Sequence, residues 1–423
     1  RWCRQGRRRG SGQQRRLMLP ADVLGELVGM PAERFAAEHW GRRDLLVSTA
    51  ERDRFVGLFG VQAVDELVAR RGLRVPFLRL AKDGESLHER AFTTGGGVGA
   101  GIGDQIDEDA VRREFAAGAT IVLQGLHRTW SPIVEYAQAL AGQLGHAVQV
   151  NAYVTPPGGR GFEDHYDVHD VFVLQIHGDK RWFVRDPVWP DPLRDQPWTD
   201  RRGAVDAAVA RPARQEATLE PGDCWYLPRG YVHSAAGQDD VSIHVTVGVH
   251  VWTRHHLASV VWNRAREALA LDPGLRGSLP MGVDVADPTV AQRELEAVRS
   301  ALVSAVQTVS AQDVAAELQA SARARQRSAP LGPLAQWSAS RDLRPDDVLT
   351  VRPHLMASLE GDPEAPVVRS RAGRVAIPPA SAAAVRRLLE VGSMTVADLM
   401  HDEQHACEVA RRLVVAGVAV RRP

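Results

Sequence analysis

His165 and Asp167 stand two residues apart in the stretch GFEDHYDVHDVFVLQIHGDKRWFV, which runs from Gly161 to Val184. In an extended segment, residues i and i+2 point to the same face, so an imidazole and a carboxylate converge while Tyr166 looks the other way. A second histidine, His233, sits in the polar turn PRGYVHSA, 68 residues on. Two neutral imidazoles and one carboxylate that leave coordination positions open form the facial set suited to a non-haem Fe(II) oxygenase. The His-x-Asp spacing is common by chance; the apolar strand behind it and a partner in a polar turn make the combination stronger. His169 and Asp170 are rivals by position, and His169 reads as polar lining or a substrate contact rather than a ligand. His244 and His250 lie in a strand-like run and read as polar core or pocket lining.

Such a centre, if it uses 2-oxoglutarate, needs a cation for the distal carboxylate of that co-substrate. Lys180 is one of only two lysines, with Lys82, among 52 basic residues, and it follows His165 by 15 positions. Lysine presents a compact charge on a long stem, which suits one carboxylate in a narrow pocket. Asn151, Tyr153 and Thr155 alternate on NAYVTP, so their side chains share a face and could hydrogen-bond co-substrate or substrate.

The elements that must position these groups are β-rich. From about 147 to 252 the runs VQVNAYVTP, VFVLQIHG, RWFVRD, EATLEPGDCWYLP and VSIHVTVGVHVW are separated by Gly, Pro and Asp turns, as in a sandwich or barrel. Ahead of them, a helical pattern is expected from Met18 to about Val47, with Asp22 as a cap and Pro31 starting a second helix, PAERFAAEHW; further helices are expected as a pair over 52–71, at 108–117 and at 131–145 with Ser131 as cap, and strands at 75–81 and 119–125. The glycine-rich TTGGGVGAGIG at 93–103 reads as a mobile loop, since no clear strand precedes it and no clean helix follows. After Trp252 the chain turns Ala-, Leu- and Arg-rich with helical spacing to about 325, suggesting a packing or dimerisation module. Residues 326–340 read as a linker, and strands near 349–352 and 366–377 with helices at 379–391, TVADLM and 403–415 resemble a winged helix.

At 423 residues the chain has room for two or three domains. It has no apolar run of the length needed to cross a membrane as a helix. Cys3, Cys224 and Cys407 lie far apart and make no CxxC pair, which argues against a disulfide framework or thiolate zinc and fits a reducing cytoplasm. Net charge is zero, but the first sixteen residues hold seven Arg and no acid; removing them from the 52 basic residues leaves 45 against 52 acidic ones. Residues 1–17 read as a disordered Arg-rich tail, either an upstream extension or a misplaced start. Residues 340–423 hold twelve Arg and eleven acids, too even a balance for a DNA reader.

GFEDHYDVHDVFVLQIHGDKRW, LPRGYVHSA, AGATIVLQGLHRTWSP and the FAAEHWGRRDLLV segment at 35–47 together resemble the JmjC-type ribosomal oxygenases, also called the cupin-4 family. The resemblance extends over about 18–423. It implies an α+β fold: a double-stranded β-helix catalytic domain with helical N-terminal elements at 18–254, a helical dimerisation module and linker at 255–335, and a winged-helix domain at 336–423. It also implies that His165, Asp167 and His233 bind Fe(II), that Lys180 binds 2-oxoglutarate, that O2 is the oxidant, and that Asn151 lines the active site. Family members hydroxylate the β-carbon of Arg or His in ribosomal proteins, so a ribosomal protein or peptide substrate and a homodimer are implied, with no membrane and no nucleic acid. One departure is Asp164, where the family often has Pro before the HYD histidine; an acid at the mouth would favour a basic substrate residue. Removal of an N-methyl group by the same cofactor class, a DNA-binding cupin regulator, a non-enzymatic cupin and a cupin dioxygenase or isomerase without 2-oxoglutarate stay open as alternatives.

Overall fold

Alternation of apolar and polar residues over Ala147–Thr155 and Ser242–His250 makes two long strands, each with one face turned to a core. In the computed structural model, which describes residues 20–422, these strands lie at the centre of an eight-stranded antiparallel sheet. Its order is Leu45–Val47, Cys224–Leu227, Asp170–His177, Ser242–His250, Ala147–Thr155, Thr120–Leu123, Leu78–Lys82 and Glu85–Ser86. A three-stranded sheet holds Lys180–Arg185 between Gln215–Leu219 and Val232–Gly237. Consecutive strands thus alternate between sheets: Asp170–His177 in the large one is followed by Lys180–Arg185 in the small one, and Cys224–Leu227 by Val232–Gly237. This is the winding of a double-stranded β-helix. Val171, Val173, Trp182, Val184, Leu219, Trp225 and Leu227 join the two sheets in one buried cluster. Each such side chain contributes about 1.5–3 kcal/mol on burial.

The first helix, Val23–Val28, is capped by Asp22, whose carboxylate accepts from Gly25 N at 2.8 Å. The second, Ala32–Glu38, sets Phe35 edge-on against Tyr226, with ring centroids 4.9 Å apart. The helical pair expected over 52–71 is one helix, Val61–Arg70; the segment before it forms turns over 52–58, which run through Gly57 and end before Gly60. The helix Ser131–Leu144 starts one residue earlier than expected, so Trp130 holds the cap position and Ser131 lies inside. The glycine-rich segment is bracketed by a small hairpin, Thr93–Thr94 with Gln105–Ile106. The Arg-rich tail of 1–17 falls outside the described residues.

The chain divides into two compact units between His250 and Val251. The second unit opens with the helices Arg254–Leu271, Pro273–Arg276, Pro288–Thr308 and Ala311–Arg325. The expected linker is partly a helix: Pro333–Arg341 docks on the C-terminal elements, where Gln336 Nε2 donates to Val414 O at 2.8 Å and Ala419 O at 2.7 Å. A boundary at 335/336 would cut this helix. Val348–Val351 pairs with both Ser393–Thr395 and Ala419–Arg421, and Ser358–Glu360, Val367–Ser370 and Gly373–Ala376 form a second small sheet. TVADLM is not a regular helix; Thr395 ends a strand and only Ala397–Leu399 makes a short 3-10 turn. Its β-branched start favours the strand, and three residues are too few for an independent helix. Among the described residues, no helix is long and apolar enough to cross a membrane.

Candidate functional site

His165 and His233 face each other across a single antiparallel bridge between the HYD segment and the edge of the small sheet. The bridge is reciprocal: His233 N donates to His165 O at 2.8 Å, and His165 N to His233 O at 3.2 Å. Directly opposed residues put their side chains on one face, and the two rings lie 4.6 Å apart. Alternation then brings Asp167 to the same face. Tyr166 goes the other way, buried against Val205 and Val232, with its hydroxyl donating to Gln196 O at 3.0 Å. The PRG turn is tied in by Gly230 N, which donates to Asp167 O at 3.0 Å. One ligand atom from each of His165, Asp167 and His233 lies within 4.8 Å of the others.

The donor set suits a divalent cation. His165 Nδ1 sits 2.8 Å from Glu163 O and His233 Nδ1 3.0 Å from Tyr231 O. A carbonyl can only accept, so each Nδ1 carries the proton and each Nε2 is left as a lone-pair donor. Burial, then His165, pushes the His233 imidazole down to about 4 against the pull of Asp167, so it is neutral near pH 7. Burial alone would raise the Asp167 carboxyl, but His169, His165 and His233 outweigh it and hold it below its ordinary value. A neutral imidazole and an ionised carboxylate are the forms that bind metal.

Lys180 begins the strand whose Val184 lies opposite His233. Four residues of strand therefore separate the two positions, about 13 Å. Its side chain is 3% exposed, and Nζ donates to Thr155 Oγ1 at 2.8 Å, with Thr120 Oγ1 behind it at 3.2 Å. Among the described residues no carboxylate pairs with it, and burial draws its pKa down to about 7.

Lys180 and the His/Asp/His set open onto one cavity of about 240 Å³. Of the three polar residues on NAYVTP, Asn151 and Tyr153 line this cavity, whereas Thr155 serves it through Lys180. Asn151 Oδ1 accepts from Gly125 N at 3.1 Å, which turns its amide nitrogen to other partners. Tyr153 stacks on His244, centroids 4.7 Å apart and nearly parallel, and burial raises its phenol to about 12. His169 lines the wall with Nε2 3.0 Å from Gln149 Nε2, and it is not part of the ligand cluster. Sequence reading missed Arg79, Phe162, Trp182 and Gln149 in the lining. Arg79, Gln149 and Trp182 lie on strands that were partly legible, but which face of each turns inward depends on pairing, and Phe162 lies outside the strands, in a single bridge with Gly84.

Asp164 corrects an expectation. It is 9% exposed and accepts from Arg160 Nη2 and Arg185 Nη1, both at 2.8 Å, and from Ser234 Oγ at 2.7 Å. The carboxylate is consumed in fastening the HYD segment to the strands beside it, so it offers no charge to a basic substrate residue.

Residues 129–257 match the model of the JmjC domain. Ribosomal oxygenase 1 of Rattus norvegicus is 29% identical over 226 residues, covering 53% of this chain and 36% of that protein. The bifunctional lysine-specific demethylase and histidyl-hydroxylase NO66 of Dictyostelium discoideum is 33% identical over 159 residues, 37% of this chain and 30% of that protein. The chain thus spans about a third of the length of the curated relatives it matches. Among solved structures, Escherichia coli YcfD superposes with a TM-score of 0.53 at 17% identity, over 93% of this chain and 98% of the other. A second structure of YcfD, described as a ribosomal oxygenase in complex with cobalt and 2-oxoglutarate, gives 0.51 at 17% identity, over 94% of this chain and 99% of that one. Fold, motif and relatives point the same way: residues 129–257 match the JmjC domain, the fold is a double-stranded β-helix, and the chain is similar to the ribosomal oxygenases.

Proposed function

We propose that this chain is an Fe(II)- and 2-oxoglutarate-dependent oxygenase that hydroxylates a side-chain carbon, the β-carbon of Arg or His, in a ribosomal protein or peptide. The observation that carries the reading is one cavity with the convergent donors of His165, Asp167 and His233 and, about four strand residues away, a buried lysine without a counter-charge among the described residues. The complex of YcfD with cobalt and 2-oxoglutarate supports it, cobalt standing in for iron.

His165, Asp167 and His233 would hold the iron, which when bound activates O2 with electrons from 2-oxoglutarate and delivers oxygen to a carbon. Lys180 would bind the distal carboxylate of 2-oxoglutarate, with Thr155 steering its ammonium group. Asn151 and Tyr153 would orient co-substrate or substrate on the wall they share, and Trp182, Val171 and Val173 keep part of that wall apolar. The two Nδ1–carbonyl bonds hold both imidazoles at fixed orientation with Nε2 free.

The N-methyl demethylase reading has in its favour the NO66 relative, a bifunctional lysine-specific demethylase and histidyl-hydroxylase. Among the described residues the cavity lining has one carboxylate, Asp167, which is reserved for metal, so a methylammonium would meet no anion there, and the same lack favours His over Arg as the hydroxylated residue. Hydroxylation is the better reading. The helices between Arg254 and Arg325 are read as a homodimer module, on the support of exposed Trp262, Leu271, Leu295, Val303 and Val306. The last 90 or so residues are read as a winged helix without a DNA-binding role, and the cysteine usage supports a cytoplasmic location.

Protein stripped of metal and reloaded with Fe(II) should release succinate from 2-oxoglutarate, and His165→Ala or Asp167→Ala should abolish this. Full succinate release by either variant would sink the assignment. Mass spectrometry of ribosomal proteins from a strain lacking the gene should show the loss of a mark equal to one oxygen atom; no change there would move the substrate to another protein or a peptide.

A further inference from the structure

Lys180 is not the only cation that faces this cavity. Arg79, on the strand Leu78–Lys82, also lines it. Its Nε is buried without a hydrogen-bond partner, and no ion pair or hydrogen bond among the described residues reaches the guanidinium. Its Cζ lies 5.8 Å from the centroid of the Phe162 ring, and its charge is close enough to favour the ionised form of the Tyr153 phenol. The register places it on one rung with Val122 and Tyr153 across three strands. The Phe162 ring lies 6.0 Å from Tyr153 and 6.4 Å from His165, so the guanidinium carbon is no more than about 12 Å from the His165 ring.

Charge on the lining is one-sided. Two basic side chains, Arg79 and Lys180, share it with one carboxylate, Asp167, which stands among the metal-binding set, and burial keeps the His233 and His244 rings neutral. The nearby acid that would have balanced them, Asp164, is tied to Arg160, Arg185 and Ser234. A guanidinium presents a planar donor fork that matches a carboxylate, and leaving it unmatched in a half-buried wall is unfavourable.

We propose that Arg79, backed by Phe162, is a carboxylate-binding subsite for substrate, and that the substrate is a peptide segment with Asp or Glu within two residues of the modified one. The proposal rests on the oxygenase reading above and adds the class of sequence that this site accepts. The geometry fits: two residues of extended peptide advance about 7 Å, and a Glu side chain covers the remaining reach to Arg79. Basic flanking residues are disfavoured, because they would add charge of the sign already in excess.

The test uses the full-length protein loaded with Mn(II) and 2-oxoglutarate without oxygen, and an array of nonapeptides with central His or Arg flanked by Glu, Gln or Lys. Wild type should retain Glu-flanked peptides about tenfold better than their Gln isosteres, the scale of one charge-assisted hydrogen bond. Arg79→Met should erase that preference, and Arg79→Glu should turn it toward Lys-flanked peptides. Equal retention of Glu and Gln peptides by wild type would overturn the subsite. So would an Arg79→Met variant that weakens 2-oxoglutarate binding as Lys180→Met does, because Arg79 would then serve the co-substrate. Absence of 2-oxoglutarate binding in wild type is a separate result that overturns the oxygenase reading. Thermal melts of both Arg79 variants that match wild type exclude a folding defect as the cause.

Discussion

Lys180 holds its ammonium group in a nearly dry site with a threonine hydroxyl for company. Because burial lowers its pKa to about 7 from an ordinary value of 10.5, the unfolded chain binds more protons than the folded one between those limits. The penalty is complete below pH 7 and is relieved as pH rises, so the ligand-free protein should gain up to about 1.4 kcal/mol per pH unit from this group on the way to pH 10. Urea denaturation across that range should show the slope, and Lys180→Met should flatten it; an unchanged slope would disprove the buried charge. A carboxylate bound to Lys180 raises its pKa again, so 2-oxoglutarate binding should take up a proton above pH 7 and weaken with rising pH. Calorimetry in buffers of different ionisation heat would measure the uptake. Asp164 makes the opposite case: it is the hub of a buried network, and Asp164→Ala leaves Arg185 without its partner. A loss of about 3–5 kcal/mol is expected in denaturant unfolding, along with weaker Mn(II) binding as the HYD segment loosens. The pair His165 and Asp167 was legible because alternation is a local property. The role of Asp164 was not, because Arg160, Arg185 and Ser234 come from three separate places in the chain.

Among the elements, the turn between Asp170–His177 and Lys180–Arg185 decides where the cation goes. Gly178 has φ of +57°, and a Cβ there would fall 2.2 Å from Val241 O. Gln175 holds the same turn, its amide donating to His177 O, Gly178 O and Ser242 Oγ. Gly178→Ala should therefore destabilise by about 1–3 kcal/mol and weaken 2-oxoglutarate binding, whereas Gly203→Ala, with open space around it, should do neither. Equal stability for the two variants would remove the turn from the account. The β-rich stretch from 147 to 252 was visible in the sequence because strand alternation and Gly, Pro and Asp turns are local signals. The docked helix Pro333–Arg341 was not: its Ser-, Pro- and Gly-containing neighbourhood has weak helical propensity, and Gln336 is held by carbonyls about 80 residues away.

At the scale of the whole molecule, the C-terminal unit has its own core. Leu349, Val368, Leu388, Leu413 and Ala419 are fully buried within one cluster drawn from 343–419. Residues 326–423 alone should melt cooperatively by circular dichroism, and a gradual, featureless melt would show that this core is insufficient. The groups on offer in the N-terminal unit were determined by sequence to a large degree: His165, Asp167 and His233 are residue types that suit a metal, Lys180 is one that suits a carboxylate, and strand alternation orients the first two. Tertiary structure alone decided the rest. It joined His233 to His165 through a reciprocal backbone bridge, set Lys180 four strand residues from that bridge, drew Asp164 away from substrate and left Arg79 facing the cavity. The physical reason is that residue type and period choose a chemistry and a strand face, whereas only the pairing of distant strands chooses which faces meet.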